Sequence, residues 1–368
     1  MTNSANENKP DIDNPVDLRF DNSGDLLIAN AGTDANTDPG HMACVPAGAV
    51  TTGANSSTTV STNVHDPIQT GTLGYDSRDG SVAIANTPVN APVQLAEFVL
   101  NPTYQAAPAA RNLIASGFGS LSVTEMPSLA AGTYAVALQK GLGEDPTCPG
   151  ECGANGSNKV TILSPTGAKT DITDDTSFTV DEPFGLAFDA QNNQLVISNN
   201  STWHRLVSFY TVATPPAAAT FVKSINTTRR NTYVAASPDG HVAVAWVTQF
   251  GYMQVQVYDN TAARNAVFGP IPYNGTTTSC GSTYIYGNGT TIVNGLRWLS
   301  NTKLLVAVEA NSSGSPNAKN GFYIYDITSS QVPAGFDDVT CSAFAAAPTN
   351  TGFVHVNNHP FAVAMRPF

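Results

Sequence analysis

Glu182 is the residue whose type and position most clearly suggest chemistry. It stands directly before the apolar run PFGLAF, which is typical of a buried strand. A carboxylate at such a place costs free energy unless it is paired or bound to a cation. Similar apolar runs elsewhere in the chain are preceded by Asn14, Gln69 and Asn231. We therefore predict that Glu182 faces a binding site, with Asn14, Gln69 and Asn231 at the equivalent positions of the other runs.

A second series of polar residues lies near the ends of the apolar runs that follow: Asn30, Asn86, Gln139, Asn199 and Glu309. If both series lie at one end of neighbouring strands, they form rings of amides and carboxylates. Such rings can hold calcium, another divalent cation or a polyhydroxylated ligand. Each residue also has a structural alternative, because Asn and Asp at strand ends satisfy turn backbone groups.

Two charged segments add candidates. Arg229-Arg230 is the only basic doublet, and it immediately precedes Asn231. It could bind a carboxylate or phosphate in bidentate fashion, or it could be a solvated pair that neutralises acidic neighbours. The acidic segment 171–182 could bind calcium, but it lacks the EF-hand pattern and also fits a solvated loop.

Five cysteines leave at least one thiol unpaired within the chain. Cys148 and Cys152 lie close together in TCPGEC, which suggests a small loop disulfide or, less simply, part of a metal site. Cys280 and Cys341 could pair across adjacent strands. The sequence alone does not set the connectivity of these four disulfide candidates.

Known catalytic motifs are missing from the sequence. The six histidines form no H-x-x-x-H helix motif or H-E-x-x-H motif, since Pro360 argues against a helix around His355 and His359. No G-x-S-x-G nucleophile elbow and no phosphate-binding glycine loop occurs. The catalytic residues, if any exist, are therefore unknown.

Composition narrows the class of protein. Only 12% of the residues are charged, against about 25% in an average soluble protein, and the formal net charge is −12. An acidic chain without basic clusters repels nucleic acid. Hydroxyl and amide side chains in place of charges favour a protein that works outside the cytoplasm.

The compartment is predicted from that composition. No apolar run reaches the roughly 20 residues that span a bilayer, so no transmembrane segment is expected. The first fifteen residues are polar and lack a signal-peptide core. We predict a secreted, periplasmic or cell-surface protein whose signal has been removed, although a cytosolic origin fits the missing signal equally well.

An internal repeat organises the chain. A short apolar strand, a tight polar turn and a second apolar strand recur about every 50–60 residues. The copies begin with NPVDLRFDNSGDLLIAN and continue through segments 69–86, 182–200, 231–248 and 294–310. A weaker copy contains GTYAVALQK from Gly132, and the C-terminal GFVHVNNHPFAVAMRPF is a further incomplete candidate.

The repeat unit has the properties of a four-stranded sheet. Turns such as Pro238-Asp239-Gly240 supply the residues that tight hairpins need. Alternating third strands follow, such as MQVQVYDNT, and a fourth such as ATFVKSI. VQLAEFVL, from Val93, fits either a helix or a strand.

These repeats predict an all-β protein, a β-propeller of six to seven four-stranded blades, with seven favoured. We expect residues 1–13 to be disordered or extended and residues 14–368 to form one propeller domain. The two polar series would then surround the mouth of a central channel.

The repeats resemble the YVTN and lactonase-like propellers, and more distantly the NHL and SMP-30/gluconolactonase propellers. The matching stretches are PFGLAFDAQNNQLVISN, ASPDGHVAVAW, VQVYDNT and FYIYDIT. The resemblance implies a channel site in which acidic and amide side chains hold a divalent metal. Glu182 and Asn231 could be such ligands, whereas a full set of four ligands does not transfer.

Two functions follow as hypotheses. The first is an extracellular or cell-surface propeller that binds a protein, a glycan or a small polar ligand at the channel mouth. The second is a metal-dependent lactonase-type hydrolase, in which the metal polarises an ester carbonyl for attack by water. The sequence does not decide whether the protein is an enzyme, and it gives no oligomeric state.

Overall fold

A computed structural model describes residues 15–34, 38–52, 58–61, 73–86, 93–101, 103–104, 109–114, 118–140, 158–173, 177–201, 204–227, 231–247, 253–259, 261, 264–268, 291–310, 321–327 and 349–355. These residues form β-strands with a single short helix, arranged in six antiparallel sheets. Five of these sheets are meanders whose strands follow one another in chain order, as short apolar runs separated by tight turns predict, whereas in the remaining sheet the last strand pairs with the third.

The first three sheets have the following bounds. Sheet 1 contains β1 (Pro15–Phe20), β2 (Leu26–Asp34), β3 (Asp38–Val45) and β4 (Thr58–Ser61), with α1 (Ala47–Thr52) between β3 and β4. Sheet 2 contains β5 (Leu73–Asp76), β6 (Ser81–Asn86), β7 (Val93–Asn101), β8 (Thr103–Tyr104) and β9 (Ala109–Ile114). Sheet 3 contains β10 (Phe118–Glu125), β11 (Tyr134–Lys140), β12 (Lys159–Leu163) and β13 (Lys169–Ile172).

The other three sheets have four strands each. Sheet 4 contains β14 (Pro183–Asp189), β15 (Gln194–Asn199), β16 (Leu206–Thr211) and β17 (Thr220–Asn226). Sheet 5 contains β18 (Asn231–Ala236), β19 (Val242–Val247), β20 (Met253–Tyr258) and β21 (Arg264–Phe268). Sheet 6 contains β22 (Thr291–Trp298), β23 (Lys303–Ala310), β24 (Gly321–Asp326) and β25 (Thr349–His355).

The chain divides into two compact units. The first comprises Met1–Leu186, Val212–Thr220 and Ala364–Phe368, and the second comprises Ala187–Thr211 and Phe221–Val363. The prediction of one domain over residues 14–368, preceded by an extended segment 1–13, stays a prediction.

In the first unit, the two faces of a sheet pack against different neighbours. Val82 and Ile84 of β6 belong to a cluster with Leu27 of sheet 1, whereas Ala83 packs with Val123 and other residues of sheet 3. Because successive side chains of a strand point to opposite faces, this arrangement buries both faces of β6. It explains why the second strand of a repeat is an almost continuous apolar run.

The second unit repeats this packing. Val242 and Val244 of β19 lie in one cluster with Val196 of β15, while Ala243 and Ala245 lie in another with residues of sheet 6. Trp298 of β22 also donates its indole N–H to the carbonyl oxygen of Ala235, at 3.0 Å. Apolar contact and a hydrogen bond therefore both join sheets 5 and 6.

The observed strands decide three segments that the sequence left open or assigned weakly. VQLAEFVL is strand, since it lies within β7. The weaker copy at Gly132 contributes the second strand of sheet 3, β11, and its first strand is β10. The segment GFVH is not the first strand of another copy, because it lies in β25 and pairs with β24 as the fourth strand of sheet 6.

Candidate functional site

The predicted site residues fall into three groups. Glu182 immediately precedes β14, and Asn199 is the fully buried last residue of β15. Asn231 begins β18 and Glu309 lies near the end of β23, where the backbone alone is described. The remaining predicted ligands and disulfide candidates lie outside the described residues: Asn14, Gln69, Arg229, Arg230, Cys148, Cys152, Cys280 and Cys341.

The strand register joins the two predicted series within a sheet. The Cα partner of Asn231 is Trp246 near the end of β19, and Glu309 pairs with Ile292 at the start of β22. Pro15 likewise pairs with Asn30. In sheets 5 and 6 the start of the first strand therefore lies beside the end of the second strand, as the repeat predicts, whereas in sheet 1 Asn30 lies in the middle of β2.

The loop that leads into β14 is the best described part of this end. Phe178 and Glu182 have φ angles of 54° and 50°, in the left-handed region that non-glycine residues seldom adopt. Asp181 accepts a hydrogen bond at 3.5 Å from the side-chain amide of the buried Asn158. Asp181 and Glu182 are both partly exposed. Two adjacent carboxylates thus lie on a loop with an unusual backbone.

The first strands also carry bulges near their starts, in β1, β10, β18 and β22. In sheet 1 the bulge brings in the buried Asp17, whose Oδ2 accepts a hydrogen bond at 2.8 Å from the backbone N–H of Leu73 at the start of β5. The Oγ of Ser122 in β10 accepts one at 3.3 Å from the N–H of Leu186 in β14. Polar bulge residues therefore connect neighbouring first strands, a structural role that reduces their availability to a ligand.

The opposite ends of β1, β5 and β10 carry further charges, which sequence reasoning missed. Arg19 lies near the end of β1 and donates from Nη1 to Oδ1 of Asp17, at 2.8 Å. Glu125 ends β10, and burial raises the pKa of its carboxyl group; the nearby Asp76 and Asp17 act in the same direction, while Arg19 opposes them. The sequence shows Glu125 only as a polar residue beside a turn, and it does not indicate that the carboxyl group is buried among other charges.

Asp76, at the end of β5, is held by many donors. Oδ2 accepts from Arg78 Nη2 at 2.6 Å and from the Gly132 N–H at 2.9 Å, while Oδ1 accepts from Arg78 Nε at 2.9 Å. Burial alone would raise the pKa of Asp76, but these hydrogen bonds outweigh it and leave the pKa below its ordinary value. Arg78 also donates to the carbonyl oxygens of Pro127 and Leu129. The pair therefore fastens the turn of sheet 2 to the turn of sheet 3.

A serine, an aspartate and a histidine meet in the turn between β18 and β19. Ser237 Oγ donates to Asp239 Oδ1 at 2.5 Å, and His241 Nδ1 lies 2.8 Å from the same oxygen. A hydrolytic triad needs the histidine between the serine and the carboxylate. Here the serine contacts the carboxylate directly, so the cluster stabilises a turn and does not activate a nucleophile.

Cys44 is a free thiol in β3. Burial, with the nearby Asp25 and Asp21, raises its pKa to about 12. The thiol is therefore protonated at neutral pH and lacks the thiolate that nucleophilic chemistry requires.

The described residues show neither a cluster of metal-ligating side chains nor a membrane-spanning helix. Within the described ranges, no three His, Cys, Asp or Glu side chains are grouped to hold a metal ion. The assignment of Glu182 and Asn231 as metal ligands stays a prediction. No helix in the described part of the chain is long and apolar enough to cross a membrane.

Comparisons with known proteins give the fold and no family. No family model matches the chain, and no curated protein matches it. Among solved structures, hydrazine synthase of Kuenenia stuttgartiensis has a TM-score of 0.61 at 13% identity, covering 100% of this chain and 94% of that one. The Cps50 (Swd1) β-propeller domain of Myceliophteria thermophila has a TM-score of 0.57 at 8% identity, covering 97% and 91%.

A putative 6-phosphogluconolactonase from Bacteroides fragilis has a TM-score of 0.53 at 12% identity, covering 95% of this chain and 86% of its own. Together with the repeated four-stranded sheets, these likenesses confirm the predicted fold, a β-propeller similar to the lactonase-like propellers. At such low identity they show the fold alone, since one fold serves many unrelated activities.

Proposed function

We propose that this β-propeller works outside the cytoplasm and binds a polar ligand, with a glycan as the first class to test, through the ends where its first strands begin. The low charged fraction of 12% supports the compartment. The net charge of −12 argues against nucleic acid as the ligand.

One observation carries the proposal: the backbone of the loop before β14. Left-handed geometry costs a non-glycine residue roughly 1–2 kcal/mol, and Phe178 and Glu182 both adopt it. Strained residues of this kind persist where the surroundings hold them, and they concentrate at ligand sites. Glycine would relieve the backbone cost at Glu182, and the partly exposed carboxylate that stands there instead supports the proposal.

The chemistry of the loop indicates the ligand class. Half-exposed carboxylates accept hydrogen bonds from hydroxyl and ammonium groups, and they bind hard cations. Adjacent carboxylates at Asp181 and Glu182 therefore suit a hydroxyl-rich glycan or a basic segment of a partner protein. Calcium could take part in such a contact by binding the same oxygens.

Two substitutions at one position separate the loop's role in binding from its role in stability. Glu182→Gln keeps the backbone strain and removes the charge, whereas Glu182→Gly removes both. We expect both variants to lose binding to a glycan array. In a thermal-shift assay, Glu182→Gly should have a higher melting temperature than Glu182→Gln, because glycine relieves the backbone strain. Asn193→Gly is the matched control, because Asn193 has a φ of 53° in the β14–β15 turn. It should bind glycans as the unchanged protein does.

The same assay in CaCl2, ZnCl2 and EDTA tests the hydrolase hypothesis. A large stabilisation by a metal that EDTA and Glu182→Gln both abolish, together with hydrolysis of a sugar lactone, would replace the binding proposal by the lactonase-type hydrolase. Glycan binding that is equal in all variants, or absent from the unchanged protein, would overturn the assignment to this loop.

A further inference from the structure

The outer strand of sheet 4, β17, has an exposed edge. It ends the strand order of its sheet, next to β16, and five of its seven residues are exposed. Phe221 and Val222 of this strand are the exposed large apolar side chains of the described residues, at 46% and 43% exposure. An edge strand presents backbone N–H and C=O groups to which a further strand can add. β17 therefore combines an accessible strand edge with accessible apolar side chains.

Two side chains of this edge are held in place by aromatic residues of β16. The ring of Phe221 meets that of Tyr210 edge-on, with 5.5 Å between the ring centroids. The ammonium group of Lys223 lies 5.0 Å from the centroid of the Phe209 ring. Side chains that are already ordered lose less conformational entropy when a partner binds. The surface of β17 is therefore prepared for a contact.

The outer strand of sheet 3, β13, shows the opposite design. It exposes Lys169 and Asp171 and buries Thr170 and Ile172. Asp171 also accepts a hydrogen bond from Lys159 Nζ at 2.6 Å. Exposed charges on an edge strand discourage the addition of another strand. The outer strand β17 has a single charged residue, so it lacks most of this protection.

The charge around β17 indicates which partner fits. Residues 190–238 contain no Asp or Glu, although the whole chain has a net charge of −12, and they include Arg205, Lys223, Arg229 and Arg230. Lys223 is the middle residue of β17. If the β17 strands of two copies paired antiparallel about their centres, the two Lys223 residues would lie opposite each other, and like charges in that position are destabilising. A carboxylate in the same position would be attracted, so an acidic strand fits this edge better than a second copy.

We propose that the edge of β17 binds an extended segment of an acidic partner protein, which adds to sheet 4 as a further strand. An Asp or Glu of that segment lies opposite Lys223, and its apolar side chains contact Phe221 and Val222. In this mode of recognition, backbone hydrogen bonds supply affinity and the alternating side chains supply specificity. The proposal does not depend on the ligand proposed for the loop before β14.

Three peptides of the length of β17, acetylated and amidated, test the proposal by saturation-transfer NMR on the full chain. The first has glutamate at its centre and valine, threonine and serine elsewhere. The second has lysine in place of the glutamate and should bind about fivefold more weakly. The third has proline at two adjacent positions, loses backbone donors and should bind at least about tenfold more weakly. No binding of the glutamate peptide, or equal binding of all three, would overturn the proposal.

Two variants assign the binding to β17. Lys223→Glu should reverse the order of the glutamate and lysine peptides, a result that loss of structure cannot produce. Phe221→Ser should weaken both peptides about fivefold. Lys169→Glu, which changes an exposed lysine of β13, is the matched control and should alter neither affinity. If Phe221→Ser does not fold, Lys223→Glu decides alone, and an unchanged peptide order in that variant would refute the site.

Sedimentation of the full chain tests the competing occupant, a second copy. We expect Phe221→Ser to leave the oligomeric state of the protein as it is. A dimer that dissociates in Phe221→Ser would assign the edge of β17 to self-association and overturn the proposal of an acidic partner.

Discussion

Asp76 and Glu125 are carboxyl groups at the ends of neighbouring first strands, and their pKa values move in opposite directions. The pKa of Asp76 lies below its ordinary value although its side chain is only 3% exposed. The pKa of Glu125 is raised, and burial is the largest cause. Burial acts in the same direction on both carboxyl groups, so it does not explain why their pKa values move apart.

The difference lies in the donors around each carboxylate. Arg78 and the Gly132 N–H donate to Asp76 and stabilise its charged form. Among the residues that the structure describes, Glu125 has its own backbone N–H as donor and Arg19 as a favourable charge. A buried carboxylate with several donors strengthens a fold, whereas one without them costs stability and is available for chemistry. Four predictions test this contrast, from the largest expected effect to the smallest.

Asp76→Asn should lower the free energy of unfolding by about 2–3 kcal/mol. It removes the charged partner of Arg78, and the loss is limited because the Arg78 side chain is 33% exposed. Urea denaturation followed by circular dichroism measures it. Asp239→Asn is the control, since that side chain is 35% exposed and should cost less than about 1 kcal/mol. Equal losses in the two variants would contradict the contrast.

Gly74→Ala should destabilise the protein by about 2 kcal/mol, because it forces apart the strands that carry the two carboxyl groups. A Cβ atom at Gly74 would lie 2.8 Å from Cδ1 of Tyr134 and 2.9 Å from Cγ1 of Val123. Gly48→Ala is the control: nothing lies within 4 Å of its added Cβ, and alanine favours α1. The melting temperature should therefore fall for Gly74→Ala and not for Gly48→Ala.

Glu125→Gln should raise the free energy of unfolding at pH 7 by about 1 kcal/mol, because it removes a charge that the fold stabilises poorly. The gain should be absent below the unfolded pKa of roughly 4.3 and should grow as the pH rises toward the raised native pKa. Urea denaturation between pH 3 and 8 measures it. A loss of stability at neutral pH would show that Glu125 is paired after all.

Asp76 should give the opposite pH profile. Its stabilisation is complete above the unfolded pKa of roughly 3.9 and disappears as the pH falls through the lowered native pKa. The difference between the unchanged protein and Asp76→Asn should therefore shrink in acid, while the difference for Glu125→Gln grows toward neutral pH.

The internal repeat made most of the fold predictable from the sequence. Its weakest copy shows where hydrophobic periodicity no longer identifies a strand. In sheet 3 the second strand, β11, is strongly apolar and was found, whereas β10 contains glycine and serines and gives little hydrophobic signal. Its strand character depends on packing against sheet 2, where Val123 meets Gly74. Such small residues allow sheets to approach closely, which periodicity alone does not reveal.

The site was predictable only where a local pattern marked it. Glu182 could be singled out because an apolar strand follows at once, but its left-handed backbone could not, since glutamate seldom adopts it. Arg19 and Glu125 are 106 positions apart, and no local pattern shows that the charge of Arg19 acts on Glu125. Arg78 fastens the turns of sheets 2 and 3, which no local sequence pattern indicates.

The hydrogen bonds between sheets have a consequence for how the protein tolerates damage. In the described part of the chain, Asp17, Ser122 and Arg78 each donate to or accept from the sheet that comes next along the chain. An array with nearest-neighbour coupling distributes the effect of a mutation over two adjacent members and leaves distant ones intact. Native-state hydrogen exchange on a destabilised variant should therefore show that amide protection is lost in one pair of sheets and kept in the others. A chain with this property can accumulate sequence changes one sheet at a time, because each change affects only neighbouring sheets.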